Sequence, residues 1–357
     1  MNQEIFPDAY KKAQVIPLYK GGDEGDVNSY RPISLLPALG KLLEKVISVR
    51  IVKFFDKFNL YCPQQFGFRS NFSTEYAILD IYEKMLKNLD SGLSTCAIFL
   101  DLAKAFDSVS HDILLRKLEK YGIRGNVLNF FKSYLHDRSQ FVKIGNVNSS
   151  SVKIKFGVPQ GSILGPLLFL IFINDLPQAS NFFIRLFADD TFLCAQNEDL
   201  LLLEKEVNRE LTKVYKWLAS NKLTLNMDKS KCMIISKKRK TSNMSIRING
   251  KELKHCDSYK YLGVYIDKNL SWKPHIEHVC KKVSKACGAL AKTRHYVNVD
   301  TLTSIYYALF NSYVRYGLAS WGNASTETLH PLITLPFPAP ASPKVVASHR
   351  RPLRYYK

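Results

Sequence analysis

Residues 99–107 read FLDLAKAFD and residues 187–191 read FADDT. In both, an aspartate follows an apolar run: Asp101 after Cys96–Leu100, and Asp189 with Asp190 after Phe183–Ala188. Short apolar runs of this composition predict buried strands, and each run places its acid at a strand edge. A carboxylate there is costly unless a cation or hydrogen bonds compensate it. Hard oxygen ligands in a basic chain point to Mg²⁺ bound together with a phosphate substrate, as nucleotidyl transfer requires. A lone aspartate after a strand serves equally as a helix N-cap. The second acidic strand end tips the reading of Asp101 towards metal.

The rest of the chain agrees with a polyanion partner. Its 357 residues are enough for two or three subdomains. Lys and Arg number 51 against 31 acids, a net charge of +20, and 12% of residues are aromatic. That balance points first to nucleic acid, with a merely basic surface as the alternative. The seven cysteines are odd in number and include no CxxC, which argues for reduced thiols in the nucleus or cytoplasm. The longest apolar run, Ile163–Ile173, contains Gly165 and Pro166 and is too short to span a bilayer. MNQEIFPDAYKK at the start lacks the apolar stretch of a secretory signal.

Outward from the acids, residues 15–37 read as a strand, a Gly/Asp loop and a second extended segment. Leu39, Leu43, Val46, Ile47 and Phe54 follow helical spacing, as do Ile78, Ile81, Met85 and Leu89. Helices are expected near 112–121 and 126–136, followed by a hairpin from Gln140–Ile144 and Val152–Phe156. An apolar helix near 162–174 precedes Phe183–Ala188 and Thr191–Cys194, two strands joined across Asp189-Asp190. Leu203, Val207, Leu211, Val214 and Leu218 form an amphipathic helix. Residues 259–266 read as one strand, and 274–318 as Lys-bearing helices. From Leu332 onward the chain holds five prolines and no helical period, so it reads as irregular or disordered.

These segments carry a resemblance. FLDLAKAFD, GVPQGSILGP (157–166) and FADD, in that order, resemble motifs A, B and C of reverse transcriptases. LYKGG (18–22) with NSYRPISLLP (28–37), QQFGFR (64–69), LNMDKSKCM (225–233) and KYLGV (260–264) are similar to segments of the non-LTR, LINE-type, jockey-like retrotransposon enzymes. FADD by itself is a weak signal; the ordered set, over residues 10–325, is specific.

The resemblance implies an α+β right-hand polymerase. Fingers are expected over residues 1–95, a palm with an antiparallel sheet over 96–267, a partial α-helical thumb over 268–325 and a Pro-rich divergent tail over 326–357. It implies an RNA-directed DNA polymerase that extends a primer 3′-OH with deoxynucleotides. RNA template, DNA primer or RNA–DNA duplex, and dNTP are the implied partners. Two Mg²⁺ ions, with Mn²⁺ as a substitute, are the implied cofactors.

Residue by residue, Asp101, Asp189 and Asp190 match the family's palm acids, with the Leu102 carbonyl as a further metal ligand. Phe106 matches the aromatic gate against a ribose 2′-OH; a core aromatic is the alternative. Gln160 and Gly161 match the nucleotide-facing turn, where glycine permits close backbone approach. Lys20 and Arg31 match the positions that clamp the triphosphate, Arg by a planar fork and Lys as a point charge. Arg69 matches a contact to template or primer backbone, and a surface ion pair would suit it equally. Lys229 matches a lysine that neutralises or protonates the leaving pyrophosphate. Tyr261, Leu262 and Gly263 match the primer-grip hairpin, where a plain core strand would look similar.

Other features stand outside these motifs. Lys237, Lys238, Arg239 and Lys240 read as a nuclear-localisation patch, a nucleic-acid contact or a solvated loop. His275, His278, Cys280 and Cys287 fit no standard zinc-finger spacing and lie on predicted helix. The Lys-rich stretch 281–292, with Trp272 and Tyr296 nearby, suits a thumb helix on a duplex backbone. An upstream endonuclease region, a Cys/His knuckle, RNase H and integrase regions are absent from this sequence. The expectation is therefore a truncated element protein, with a catalytically weak or inactive nucleic-acid-binding remnant as the alternative. A DNA-templated polymerase with the same palm is a further option.

Overall fold

The computed structural model describes residues 4–238 and 244–335. Strand β3 (Ser94–Leu100) is buried at every position and forms the middle of the main sheet. It lies antiparallel between β8 (Asp190–Asn197) and β9 (Lys231–Ile235). β7 (Phe183–Phe187) closes one flank as a hairpin with β8, and β12 (Lys254–His255) runs parallel to β9 on the other. Alternate side chains of β3 enter two separate cores. Cys96, Ile98 and Leu100 face one, and Ala97 and Phe99 face the other. Both faces are covered, so the strand reads as a continuous apolar run.

The first core is covered by α1 (Ala38–Lys57), α3 (His111–Lys120), α4 (Gly125–Leu135), α5 (Leu164–Ile173) and α6 (Leu200–Ser220). The second is covered by α2 (Thr74–Asp90), the hairpin β13 (Ser258–Tyr261)–β14 (Val264–Asp267) and α7 (Lys273–Thr293). Helices α8 (Val299–Tyr306), α9 (Ser312–Arg315), α10 (Leu318–Trp321) and α11 (Thr326–Ile333) complete that side. A second sheet has the order β2 (Tyr30–Leu35), β1 (Lys12–Tyr19), β4 (Ser139–Ile144), β5 (Val147–Asn148), with β6 (Val152–Lys153) also on β4. A small hairpin, β10 (Arg247–Ile248) and β11 (Lys251–Glu252), lies beside α6. Among the described residues, no helix is long and apolar enough to cross a membrane.

Several expectations change. Helix α1 forms as its spacing predicts, but its buried face is Gly40, Glu44, Ile47, Ile51 and Phe55, leaving Leu39 and Val46 exposed. A buried acid rotates it: Glu44 accepts the Ile163 and Leu164 amides at 2.7 and 3.2 Å and the Tyr134 hydroxyl at 3.2 Å. Residues 259–266 are a hairpin rather than one strand, because Leu262 and Gly263 take φ of 44° and 89° and reverse the chain. β4 pairs parallel with β1, so the segment at 139–153 joins the sheet of the first 35 residues. Trp272 is 2% exposed in the second core and offers no free ring to a duplex, whereas Tyr296 is 87% exposed. The tail also begins later than expected. Ser325 caps α11, and Leu329 and Leu332 are buried against the second core. The rest of the Pro-rich segment, and Arg239 and Lys240, lie outside the described residues.

Candidate active site

The ladder between β3 and β8 brings the three aspartates to one place. Leu100 pairs with Thr191 and Phe187 with Asp190, so Asp101 leaves β3 directly beside the Asp189-Asp190 turn. The Asp101 amide donates to Ser230 Oγ at 3.2 Å, and its carbonyl accepts the Asn226 amide at 2.8 Å. The next residue, Leu102, bridges to Leu225 and is buried. The acids repel one another. Burial pushes the Asp189 carboxyl above its ordinary value, Asp101 adds to that, and Arg31 opposes it. Asp190 lies at the solvent-facing rim, yet the surrounding protein, with Asp189 and Asp101, pushes it up to about 6.

Among the described residues, no three His, Cys, Asp or Glu side chains stand close enough to form a ready-made metal cage. Mg²⁺ does not need one, since it is usually held by one or two carboxylates with waters and substrate phosphates completing the octahedron. Carboxylates whose proton affinity is raised by burial, with mutual repulsion adding to it, are the donor set that a hard divalent cation relieves. The residues therefore suit such an ion. Lys229 Nζ lies 4.0 Å from Asp101 Oδ2, a loose ion pair at the same edge.

Residues 64–67 brace this turn from behind. The Phe66 amide donates to Leu186 O at 2.8 Å, and the Leu186 amide to Gln64 O at 2.9 Å. Gly67 comes so close that a Cβ there would lie 2.4 Å from the Ala188 nitrogen. Arg69 serves the same loop. Its Nη1 donates to the carbonyls of Cys62 and Gln65, both at 3.2 Å, and its guanidinium lies over the Tyr61 and Phe72 rings.

The turn that holds Gln160 closes another side. Gln160 O accepts the Ser34 amide of β2 at 2.7 Å, and the Val158 amide donates to Phe106 O at 2.8 Å. Gly161, at φ 119°, passes so near β2 that a Cβ would sit 2.5 Å from Ser34 O. Phe106 is half-buried and stacks on Phe169 of α5 with centroids 4.6 Å apart. Arg31 and Lys20 are exposed on β2 and the loop after β1. The Lys20 amide donates to Ser29 O at 2.9 Å, which ties the backbone of this residue to the end of the loop before β2.

A family model described as "Reverse transcriptase (RNA-dependent DNA polymerase)" matches residues 12–266. The chain belongs to the reverse transcriptases. Among curated relatives, it is 30% identical over 339 residues to "RNA-directed DNA polymerase from mobile element jockey" of Drosophila melanogaster, covering 91% of this chain and 37% of that protein. It is 30% identical over 342 residues to "Probable RNA-directed DNA polymerase from transposon BS" of the same species, covering 90% and 37%. This reverse transcriptase chain thus spans just over a third of the length of those relatives. In fold it is similar to apo telomerase of Candida tropicalis, with TM-score 0.50 at 13% identity over 93% of this chain and 63% of that one.

The motif residues of this reverse transcriptase converge unevenly. Asp101, Asp189, Asp190 and Lys229 share one edge, with Arg31 near enough to act on Asp189. Tyr261 is 3% exposed, and its ring packs between Phe99 and Phe192, so only Leu262 and Gly263 form the hairpin tip. That tip is tied down, with Tyr316 donating its hydroxyl to Leu262 O.

Sequence reasoning missed four residues. Asp107 holds the Gln160 side chain. Gln65 reaches the Ala188 amide. Glu44 caps α5. Tyr259 stacks on Phe99 at 4.2 Å, and burial with Asp101 and Asp190 pushes its hydroxyl up to about 12. The final Asp of FLDLAKAFD was in view all along. Gln65 lies within QQFGFR and Tyr259 within the strand read at 259–266, but neither contact is marked locally, and Glu44 carries no local signal.

His275 is a core residue, 3% exposed, between the Trp272 and Trp321 rings. Burial, with His278 adding to it, lowers its pKa to about 4.

Proposed function

We propose that this chain is the polymerase core of a non-LTR, jockey-like retrotransposon protein, extending a primer 3′-OH with deoxynucleotides on an RNA template. The observation that carries this is the meeting of Asp101, Asp189 and Asp190 at one end of the β3–β8 ladder, in a chain of net charge +20. In this reading residues 1–95 act as fingers, 96–267 as palm and 268–325 as thumb. The pairing of β4 with β1 supports counting residues 139–153 with the fingers.

Asp101, Asp189, Asp190 and the Leu102 carbonyl would hold two Mg²⁺ ions, or Mn²⁺ in their place, which when bound would supply Lewis-acid activation of the hydroxyl and stabilisation of the leaving oxygen. Lys20 and Arg31 orient the triphosphate by charge. Phe106, fixed by Phe169, excludes a 2′-hydroxyl, and Gln160 with Gly161 supports the nucleotide. Lys229 delivers a proton or positive charge to the pyrophosphate side. Leu262 and Gly263 present the primer end, with Tyr261 as their buried anchor. Arg69 acts on the template path through the loop it braces.

Primer extension on an RNA template with dNTPs and Mg²⁺ tests the reading. Incorporation is expected from the purified chain, falling by at least ~10³-fold in Asp189→Ala. Salt-sensitive RNA binding without incorporation, or incorporation untouched by Asp189→Ala, overturns it.

A further inference from the structure

We infer that Gln65 is a positioning residue for the aspartate turn: its buried side chain sets the backbone that presents Asp189. Gln65 is 1% exposed. Its Oε1 accepts two amides, from Gly67 at 2.8 Å and from Ala188 at 3.1 Å. Ala188 is the residue immediately before Asp189, and its φ of 55° lies in the left-handed region that a Cβ disfavours. A backbone held there persists only where its surroundings over-determine it.

The orientation of the Gln65 amide follows from the donors it meets. Turning it over would set an NH₂ group against two N–H donors, so the oxygen must face Ala188. The arrangement is kept at a cost, because Nε2 is buried without a partner among the described residues. Neighbouring contacts act in the same direction. The paired hydrogen bonds of Phe66 and Leu186 lock the register, and Gly67 clears the space against Ala188. Gln65 adds a side-chain hydrogen bond to the amide of the residue that aims Asp189. Outer-shell groups of this kind typically change metal affinity or activity by about 10–100-fold when removed.

This inference rests on the reading of Asp189 as a metal ligand, and the test separates the two. Hydrogen exchange across residues 186–190 is measured in the metal-free chain, and Mn²⁺ alone is titrated as the binding probe. In Gln65→Met, which keeps bulk but removes the acceptor, exchange at 186–190 accelerates at least ~10-fold and Mn²⁺ binds about 10-fold more weakly. Gln65→Glu, which keeps an acceptor oxygen, retains the slow exchange. If Gln65→Met leaves exchange and Mn²⁺ affinity within twofold of the parent, the inference fails. If Gln65→Met does not fold, Gln65→Glu decides, and fast exchange there also defeats it. Asp189→Ala is the control. Should it leave Mn²⁺ binding intact, the metal reading fails, while the exchange data still judge the hold of Gln65 on Ala188.

Discussion

Gln160 and Asp107 are joined through one nitrogen: Gln160 Nε2 donates to both carboxylate oxygens of Asp107, at 3.0 and 2.9 Å. Gln160 would otherwise have several rotamers open to it beside the proposed nucleotide. Burial raises the proton affinity of Asp107, and the Gln160 bond and Lys104 offset that rise only in part. A hydrogen bond to a charged group contributes about 1.5–3 kcal/mol. Asp107→Ala is therefore expected to raise the dNTP KM about tenfold with a smaller change in kcat. Asp107→Asn, which still offers one acceptor, falls between. Steady-state incorporation against dNTP concentration checks this, and equal KM values for all three proteins would refute it.

The elevated Asp190 gives a pH prediction whose sign is fixed. A carboxylate whose folded pKa is raised from 3.8 to about 6 favours the fold when protonated. That contribution is fully present below the unfolded value and is lost as pH rises through the folded one. In metal-free buffer, Asp190→Asn should melt at a higher temperature than the parent at pH 8. The two should converge only as pH falls below the unfolded value of 3.8, where Asp190 becomes neutral in both states. Added Mg²⁺ should narrow the gap at pH 8, because a cation relieves the same repulsion. Thermal melts across pH, with and without Mg²⁺, provide the test.

Whether a feature could be read from the sequence depended on how local its cause was. Strand β3 announced itself because both of its faces are buried, leaving an unbroken apolar run up to Asp101. Helix α2 announced itself through Ile78, Ile81 and Met85 on one face. Gln65 and Glu44 stayed hidden because their partners, Ala188 and Ile163, lie 123 and 119 residues away. A lone polar residue carries no periodicity that would mark it as buried. The same reason explains α1: counting apolar positions cannot reveal that an acid sits on the inner face. The turn at Leu262-Gly263 was visible as a motif, but its inward-facing Tyr261 depends on contacts with Phe99 and Phe192.

Glu44 supplies a stability prediction. Its carboxylate satisfies two amides at the start of α5, where helix N-termini leave donors unpaired. A carboxylate there also complements the helix dipole. Glu44→Ala strands both amides and the Tyr134 hydroxyl in a buried site. The expected loss is about 3 kcal/mol, read as a lower melting temperature and denaturation midpoint. Glu44→Gln, which keeps one acceptor oxygen, should lose less. Because α5 follows the Gln160 turn directly, the Ala variant should also lose dNTP affinity at temperatures where it remains folded.

Gly161 tests whether the Gln160 turn works only when pressed against β2. Its φ of 119° is one that side chains rarely adopt, and a Cβ would meet Ser34 O at 2.5 Å. The obstacle is backbone, so no side-chain rotation can relieve it. In Gly161→Ala either the turn or β2 must retreat, which breaks the 2.7 Å bond from the Ser34 amide to Gln160 O. β2 also carries Arg31, so the proposed phosphate and base contacts separate together. Gly161→Ala should therefore raise the dNTP KM more than Asp107→Ala does, since it displaces two contacts instead of loosening one. Its nucleic-acid affinity should stay close to that of the parent, because the exposed lysines of α7 lie on the other side of the main sheet. Parallel measurement of dNTP KM and of duplex binding distinguishes this local effect from general unfolding, which would weaken both.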